Sequence, residues 1–347
     1  MLELSDATEF SFNELLIAYF SCRKNKRHTV NALKFEEHFE KNLIILYNEL
    51  ITKTYKPKTY LHFISTAPCY REVWASDFRD RIIHHLIYNR ISNKYFNNFI
   101  FDSYACIPNK GTLAASKRLD HFIRACSNNF ELPAYYLKCD IKNFFVSINK
   151  KVLLNVLKDN SIIVEANRQF GYSDYFLDLI CIILNQNITG DYKFKGKDFR
   201  YKIPFFKRLI NSKENCGLPI GNLTSQLFAN IYLDVLDKYI KHVLKIKYYI
   251  RYVDDIIIID NSPLDLESIY IRLKEFLLNL GLVFNENKTK TGQIDNIDFV
   301  GRIINRYYTK VRKRILKKLN NFNIDDYYGV LKHCNTYTIR KSYNSKY

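Results

Sequence analysis

Apolar and polar residues along this 347-residue chain follow two periods, and the shift from one to the other marks most of the expected elements. Between Phe10 and Tyr47, apolar positions recur at helical spacing on both sides of a basic knot, Arg23-Lys24-Asn25-Lys26-Arg27. This predicts helix, turn, helix, with Thr29 capping the second. Tyr60 to Trp74 has β character interrupted at Pro68. Asp77 to Phe96 opens on a capping Asp and places Ile82, Ile83, Leu86, Ile87 and Ile91 on one stripe, which predicts a helix; Thr112 to Ala125 predicts another. Ala134 to Phe145 reads as one apolar strand, followed by a helix from Lys150. Residues 187–216 are polar and aromatic, with turn signals that suggest a loop or hairpin insertion. A helix is expected from Leu223 to Leu244, two short strands between Lys247 and Asp260, and a helix from Leu264 to Leu280. Strands are expected near Leu282–Phe284 and over Ile297–Ile304, before a mainly helical basic tail. Strands and helices do not alternate regularly, so the pattern favours α+β over a doubly wound parallel sheet.

Two apolar stretches carry acids where acids are costly. In Ile250-Arg251-Tyr252-Val253-Asp254-Asp255-Ile256-Ile257-Ile258-Ile259, adjacent carboxylates sit between runs of β-branched residues, a pattern expected at the tip of a buried hairpin. Burying such a pair is unfavourable unless cations neutralise it, and magnesium (Mg2+) is the natural counter-ion; Mn2+ could substitute. An ordinary Asp-containing turn would fit this stretch equally well on its own. The second stretch, Tyr136-Leu-Lys-Cys-Asp140-Ile141-Lys-Asn-Phe-Phe145, shifts the balance. Phosphoryl transfer by two metals needs carboxylates that hold ions about 3.5–4 Å apart, and one strand Asp plus an Asp pair from a neighbouring hairpin would supply them.

The charge agrees. Fifty-three Lys and Arg against 35 Asp and Glu give a net +18, which points to a polyanionic partner, nucleic acid before membrane. Residues 302–347 hold twelve of these cations and two Asp. The eight Cys include no C-x-x-C pair, so a zinc site of ordinary spacing is not expected and reduced thiols of a cytoplasmic protein are. The acidic start lacks the features of a signal peptide, and no apolar run approaches a membrane span.

Taken in order, Asp140-x-x-x-Phe-Phe, Gly217-Leu-Pro-Ile-Gly-Asn-Leu-Thr-Ser-Gln226, Tyr252-Val-Asp-Asp255, Asn285-Glu-Asn-Lys288-Thr-Lys290 and Phe299-Val-Gly301 resemble the motifs of reverse transcriptases. Arg71-Glu-Val-Trp-Ala-Ser-Asp-Phe-Arg-Asp-Arg-Ile-Ile-His-His85 and Asp102-Ser-Tyr-Ala-Cys-Ile-Pro-Asn-Lys-Gly111 look like that family's fingers motifs. The resemblance implies a right-hand polymerase with a helical extension (1–60), fingers (61–135), an antiparallel palm (136–300, with an insertion at about 158–215) and a short helical thumb (301–347). Gly221-Asn-Leu-Thr-Ser-Gln226 is similar to bacterial enzymes of diversity-generating retroelements, which copy a structured RNA into cDNA. Related antiphage-defence enzymes, some protein-primed or untemplated, share much of the motif. A catalytically silent RNA-binding scaffold is the alternative from another class.

By resemblance, Asp140 and Asp254 are metal ligands, Asp255 is a ligand or a support, and the Ile141 carbonyl completes one coordination sphere. Phe145 would bar a 2′-hydroxyl, unless it merely packs in the core. Arg71 would grip the triphosphate; Arg79 and Arg81 are weaker candidates that also fit ordinary helix-surface charges. Lys288 matches a proposed general acid, and a solvated lysine fits it as well. Tyr252, Phe299 and Gly301 would meet primer and template, with Gly301 letting the backbone approach. Ile220 and Gly221 would face the nascent pair. Many relatives carry Gln where Ile220 stands, so the apolar side chain is expected to lower fidelity. Ile220→Gln should then reduce misincorporation opposite each template base; an unchanged error spectrum would reject the idea. Implied partners are template RNA, a cDNA primer, dNTPs, a cognate non-coding RNA, and a small basic accessory protein or a second copy of the chain.

Overall fold

The run Ile256–Ile259 is fully buried in the computed structural model, which describes residues 9–24, 26–67, 69–159, 175–319 and 331–336. Successive strand residues point to opposite faces, so four buried in a row require cover on both. Ile257 and Ile259 pack with Leu119, Phe122 and Ile123 of helix Thr112–Cys126, and helix Pro263–Asn279 also lies against the strand. The sheet is antiparallel, in the order Tyr248–Tyr252, Asp255–Asp260, Tyr135–Asp140, Lys290–Gln293. A smaller antiparallel sheet joins Ile297–Phe299, Arg302–Ile304 and Thr309–Val311. Both sheets belong to one of two compact units, formed by Ile100–Lys142 and Asp234–Tyr347. The 102–111 motif is therefore grouped with this sheet: Ser103 bridges to Arg251, and the Tyr104 amide donates to the Arg251 carbonyl at 3.1 Å.

The other unit comprises Met1–Phe99 and Asn143–Leu233. Its axis is helix Phe78–Asn98, whose first turn is capped by the Asp77 carboxylate accepting from the Arg79 amide at 3.1 Å. The stripe expected from sequence is buried along it. Helices Phe12–Arg23 and Val30–Glu36 pack on this axis, with the rings of Tyr19, Phe35 and Phe78 in mutual contact. A three-stranded sheet pairs Arg71–Ala75 antiparallel with Tyr60–Ser65, which runs parallel to Tyr192–Phe194. The last of these strands comes from the expected insertion; residues 160–174 of that insertion lie outside the described residues, as do Pro68, Asn25 and residues 320–330 and 337–347 of the basic tail.

The architecture is thus mixed α and β with three sheets among the described residues. Several local expectations need correction. The strand through Asp140 ends there, and Phe144 and Phe145 lie on a short helix, Phe144–Ser147, because Asn143 takes φ 51° and turns the chain out of the sheet. Leu282–Phe284 forms no strand, only a bridge from Phe284 to Ile141. The helix from Leu223 is α-helical to Lys238 and then widens into a π turn over Tyr239–Val243. Thr29 precedes its helix, but its hydroxyl bonds back to the Lys26 carbonyl instead of capping. The tail adds the strand Thr309–Val311 before helix Lys313–Leu319. Among the described residues, no helix is long and apolar enough to cross a membrane.

Candidate active site

In the unit built on Ile256–Ile259, the strand register brings the three acids to one end of the sheet. Asp140, the last residue of its strand, stands directly opposite Asp255, the first of the next. Tyr252 pairs with Asp255 across a two-residue loop, Val253-Asp254. Val253 holds φ 56°, a left-handed conformation that a β-branched residue resists. Such a position costs on the order of 1–3 kcal/mol and persists only where its surroundings enforce it. Here they do: the Ile141 amide donates to the Asp254 carbonyl at 3.2 Å, and Arg251 Nη1 donates to the Val253 carbonyl at 3.1 Å. On the other side, the Lys142 amide reaches the Val283 carbonyl and the Asn285 amide reaches the Asp140 carbonyl. Asp140 and Ile141 are thereby fixed between the hairpin tip and residues 283–285.

Burial, and then the charges of Asp140 and Asp255, push the Asp254 carboxyl up to about 6. Burial also raises Asp255, against the pull of Lys138. Lys288 Nζ lies 2.8 Å from both oxygens of Asp140. Carboxylates that crowd one another and resist ionising fit a hard divalent cation. Among the described residues, no three His, Cys, Asp or Glu side chains close into a ready-made cage. Magnesium sites at phosphoryl-transfer centres take only one or two carboxylates and draw the remaining ligands from phosphates and water.

Beneath the tip lies a network that sequence reading missed. Arg251 is fully buried and grips Asp237, itself fully buried, through two bonds of 2.8 Å (Nε) and 2.6 Å (Nη2). Tyr249 Oη donates to the same carboxylate, and Arg251 Nη2 also reaches Ser103 Oγ at 3.0 Å. The Asp237 charge raises the pKa of Arg251 despite the opposing effect of burial, so the guanidinium remains charged. One signal was available: an Arg inside an apolar strand needs a carboxylate, and Asp234 and Asp237 interrupt an otherwise apolar helix.

The hairpin Phe299–Arg302 turns at Val300 (φ 44°) and Gly301 (φ 84°). Phe299 itself is fully buried among Leu119, Ile250 and Ile257, so its ring is withdrawn from the surface. Tyr252 is half-buried at the end of its strand.

In the other unit, Phe145, Ile220 and Gly221 are brought together with the strand that Arg71 begins. The Leu218 amide donates to the Phe145 carbonyl at 2.8 Å, and the Trp74 amide to the Ile220 carbonyl at 2.8 Å. Gly221, at φ 136°, passes so close to this strand that a Cβ would lie 2.8 Å from the Trp74 carbonyl oxygen; no side chain fits. Ile220 is partly exposed and Phe145 half-buried. Two residues missed from sequence hold this loop. Asn222 accepts from Ser76 and donates to Tyr60 Oη at 2.8 Å, while Thr224 Oγ1 lies 2.7 Å from His84 Nδ1. Polar residues heading an apolar helix were the available clue. Arg71 is exposed, its Nε on Cys69 Sγ. Arg79 is buried against Glu49 and the Lys56 carbonyl, and Arg81 Nε is bound to the Ser76 carbonyl.

Among curated proteins, the COX1/OXI3 intron 2 protein of Saccharomyces cerevisiae is 22% identical over 54% of this chain and 18% of its own length. Protein P of chimpanzee hepatitis B virus is 36% identical over 20% of the chain and 8% of its own length. The chain therefore spans under a fifth of either relative. Telomerase from Candida tropicalis, truncated from its C-terminal domain, superposes with a TM-score of 0.49 at 14% identity, covering 74% of this chain and 56% of that one. Telomerase from Candida albicans gives 0.48 at 12%, covering 74% and 46%. The model of the family "Reverse transcriptase (RNA-dependent DNA polymerase)" matches residues 68–304, about two thirds of the chain and every motif from the 71–85 segment to Gly301. With Asp140 opposite Asp255 at the end of one sheet, Asp254 on the adjoining turn and its motifs inside that match, the chain belongs to the reverse transcriptase family of nucleotidyltransferases.

Proposed function

We propose that the protein is an RNA-directed DNA polymerase that extends a primer along a structured RNA template. The observation that carries this reading is Asp140 facing Asp255 across the sheet, with Asp254 on the adjoining turn. Asp140 and Asp254, with Asp255 as third ligand or support and the Ile141 carbonyl beside them, would hold two magnesium ions, which lower the pKa of the primer 3′-hydroxyl and neutralise the leaving pyrophosphate. The protein's own side chains do the rest. Lys288, which pairs with Asp140, would give a proton to the departing pyrophosphate. Phe145 would exclude a 2′-hydroxyl by bulk, Arg71 would bind the triphosphate, and Ile220 would offer the new base pair shape without a hydrogen bond. The 71–85 strand and helix and the 217–226 loop would act as fingers, the sheet of the acids as palm and the basic tail as thumb. A cognate RNA and a small basic protein would be its partners.

The biological setting we favour is a diversity-generating retroelement, on the strength of Gly221-Asn-Leu-Thr-Ser-Gln226. The test is extension of a labelled primer on an RNA template with magnesium. Incorporation of dNTPs but not rNTPs is expected. Failure to extend, with RNA binding intact, would favour a silent scaffold. Sequencing the nucleic acid that co-purifies separates the settings: cDNA matching a template repeat indicates diversification, and untemplated or protein-linked DNA indicates defence.

A further inference from the structure

Outside the residues given roles above, the loop that follows strand Tyr192–Phe194 has an unusual surface. Tyr201, Phe205 and Phe206 are 71%, 69% and 57% exposed, within six residues of one another. Rings of that size are ordinarily buried, and a cluster of them in water marks a contact surface. Two short 3-10 turns, Arg200–Lys202 and Phe205–Lys207, hold them out with Pro204 between. The rings do not satisfy one another. Phe199 meets Tyr201 at 6.3 Å and 57°, and Tyr70 meets Phe199 at 5.7 Å and 61°, tilted contacts that leave flat faces available. A cation lies among them: Lys202 Nζ is 4.8 Å from the Tyr70 ring, 5.4 Å from that of Phe199 and 5.8 Å from that of Tyr201, and donates to Tyr70 Oη at 3.1 Å.

Charge names the occupant. Residues 193–208 carry seven Lys or Arg and one acid, Asp198, whose carboxylate Arg200 already grips at 2.7 Å. Exposed rings interleaved with uncompensated cations match a strand that presents bases and phosphates together. A protein-docking surface is usually depleted in lysine at its centre, so it fits less well. We propose that this loop is a stacking platform for single-stranded RNA, on which bases lie against Tyr201, Phe205 and Phe206 while Lys202 and Lys207 meet the backbone. That the strand is RNA rests on the polymerase reading; the chemistry of the surface does not.

The test is fluorescence anisotropy with a labelled 12-mer of uridine. It compares the wild type with a triple variant, Tyr201→Ala/Phe205→Ala/Phe206→Ala, and with a control, Ile17→Ala/Phe20→Ala, that removes exposed apolar groups from the first helix. Thermal melting confirms that each is folded, which the exposure of all five side chains favours. The triple variant should weaken oligouridine binding more than tenfold, and the control less than twofold. A loss of tenfold or less in the triple variant, or an equal loss in the control, overturns the platform. So does a triple variant that loses binding to phosphatidylserine vesicles but keeps RNA, which would reassign the surface to a membrane. Primer extension by the same preparations keeps the two readings apart. Binding that depends on the rings without extension would sink the polymerase and leave the platform standing; extension with ring-independent binding would do the reverse.

Discussion

Asp254→Asn should reduce single-turnover primer extension by at least about a thousandfold, an effect of roughly 4 kcal/mol on the barrier, while the variant melts at a higher temperature than wild type in metal-free buffer. Both halves follow from one feature. The Asp254 carboxyl is raised to about 6 by burial and by Asp140 and Asp255, so at pH 7 it is ionised where ionisation is unfavourable. The sign is that of a raised acid: its contribution to stability is full below the unfolded value near 3.8 and disappears as pH rises through 6. An amide at the same place carries no charge to desolvate or repel. After discounting for solvent screening, the gain is about 1–2 kcal/mol at pH 7. The same amide is a poor ligand for a divalent cation, hence the loss of activity. Melting in EDTA and a rapid-quench extension assay read the two effects. Activity within tenfold of wild type would remove Asp254 from the chemistry.

Asp237→Asn should be the most damaging single change to stability among the residues described, at about 3–5 kcal/mol. It leaves the Arg251 guanidinium fully buried with half its fork unmatched and takes away the charged acceptor of Tyr249. Denaturant unfolding measures it, and a loss below about 1 kcal/mol would contradict the account. The double replacement Asp237→Leu/Arg251→Met should recover at least half of the loss, because an apolar pair of similar volume has no charge to strand. It should not recover full activity. Arg251 also donates to the Val253 carbonyl, so the repaired core would hold a looser Val253-Asp254 turn, visible as a lower kcat at temperatures where the variant is folded.

The gathering of three acids at one end of the sheet was legible in the sequence because two carboxylates between Tyr252 and Ile256 have few fates in an apolar environment, and because Asp140 repeats the situation in a second strand. The helix from Asp77 was legible for the same reason: its cap and its stripe agree. What escaped was decided by single dihedrals or by distant partners. Asn143 is a residue type that accepts the left-handed region, but Lys142-Asn143-Phe144 does not by itself fix that conformation, and the strand expected to run on to Phe145 stops at Asp140. Arg251 looked like one of many cations contributing to the +18, whereas its partner lies 14 residues back on a helix. Arg79, a weaker binding candidate that also fits an ordinary helix-surface charge, is instead buried against Glu49, a partner lying 30 residues away. Net charge counts side chains without knowing which are already spent.

Val253 and Val300 close the two hairpins in backbone conformations that glycine would adopt freely. A glycine there would also wander among neighbouring wells, and the acids beside it would inherit that drift. Valine has almost nowhere else to go once the sheet has formed, so the tip behaves as a stiff lever. The free energy lodged in that awkward bend is recovered as precision, because the carboxylates beside it are held in one arrangement without a fresh search.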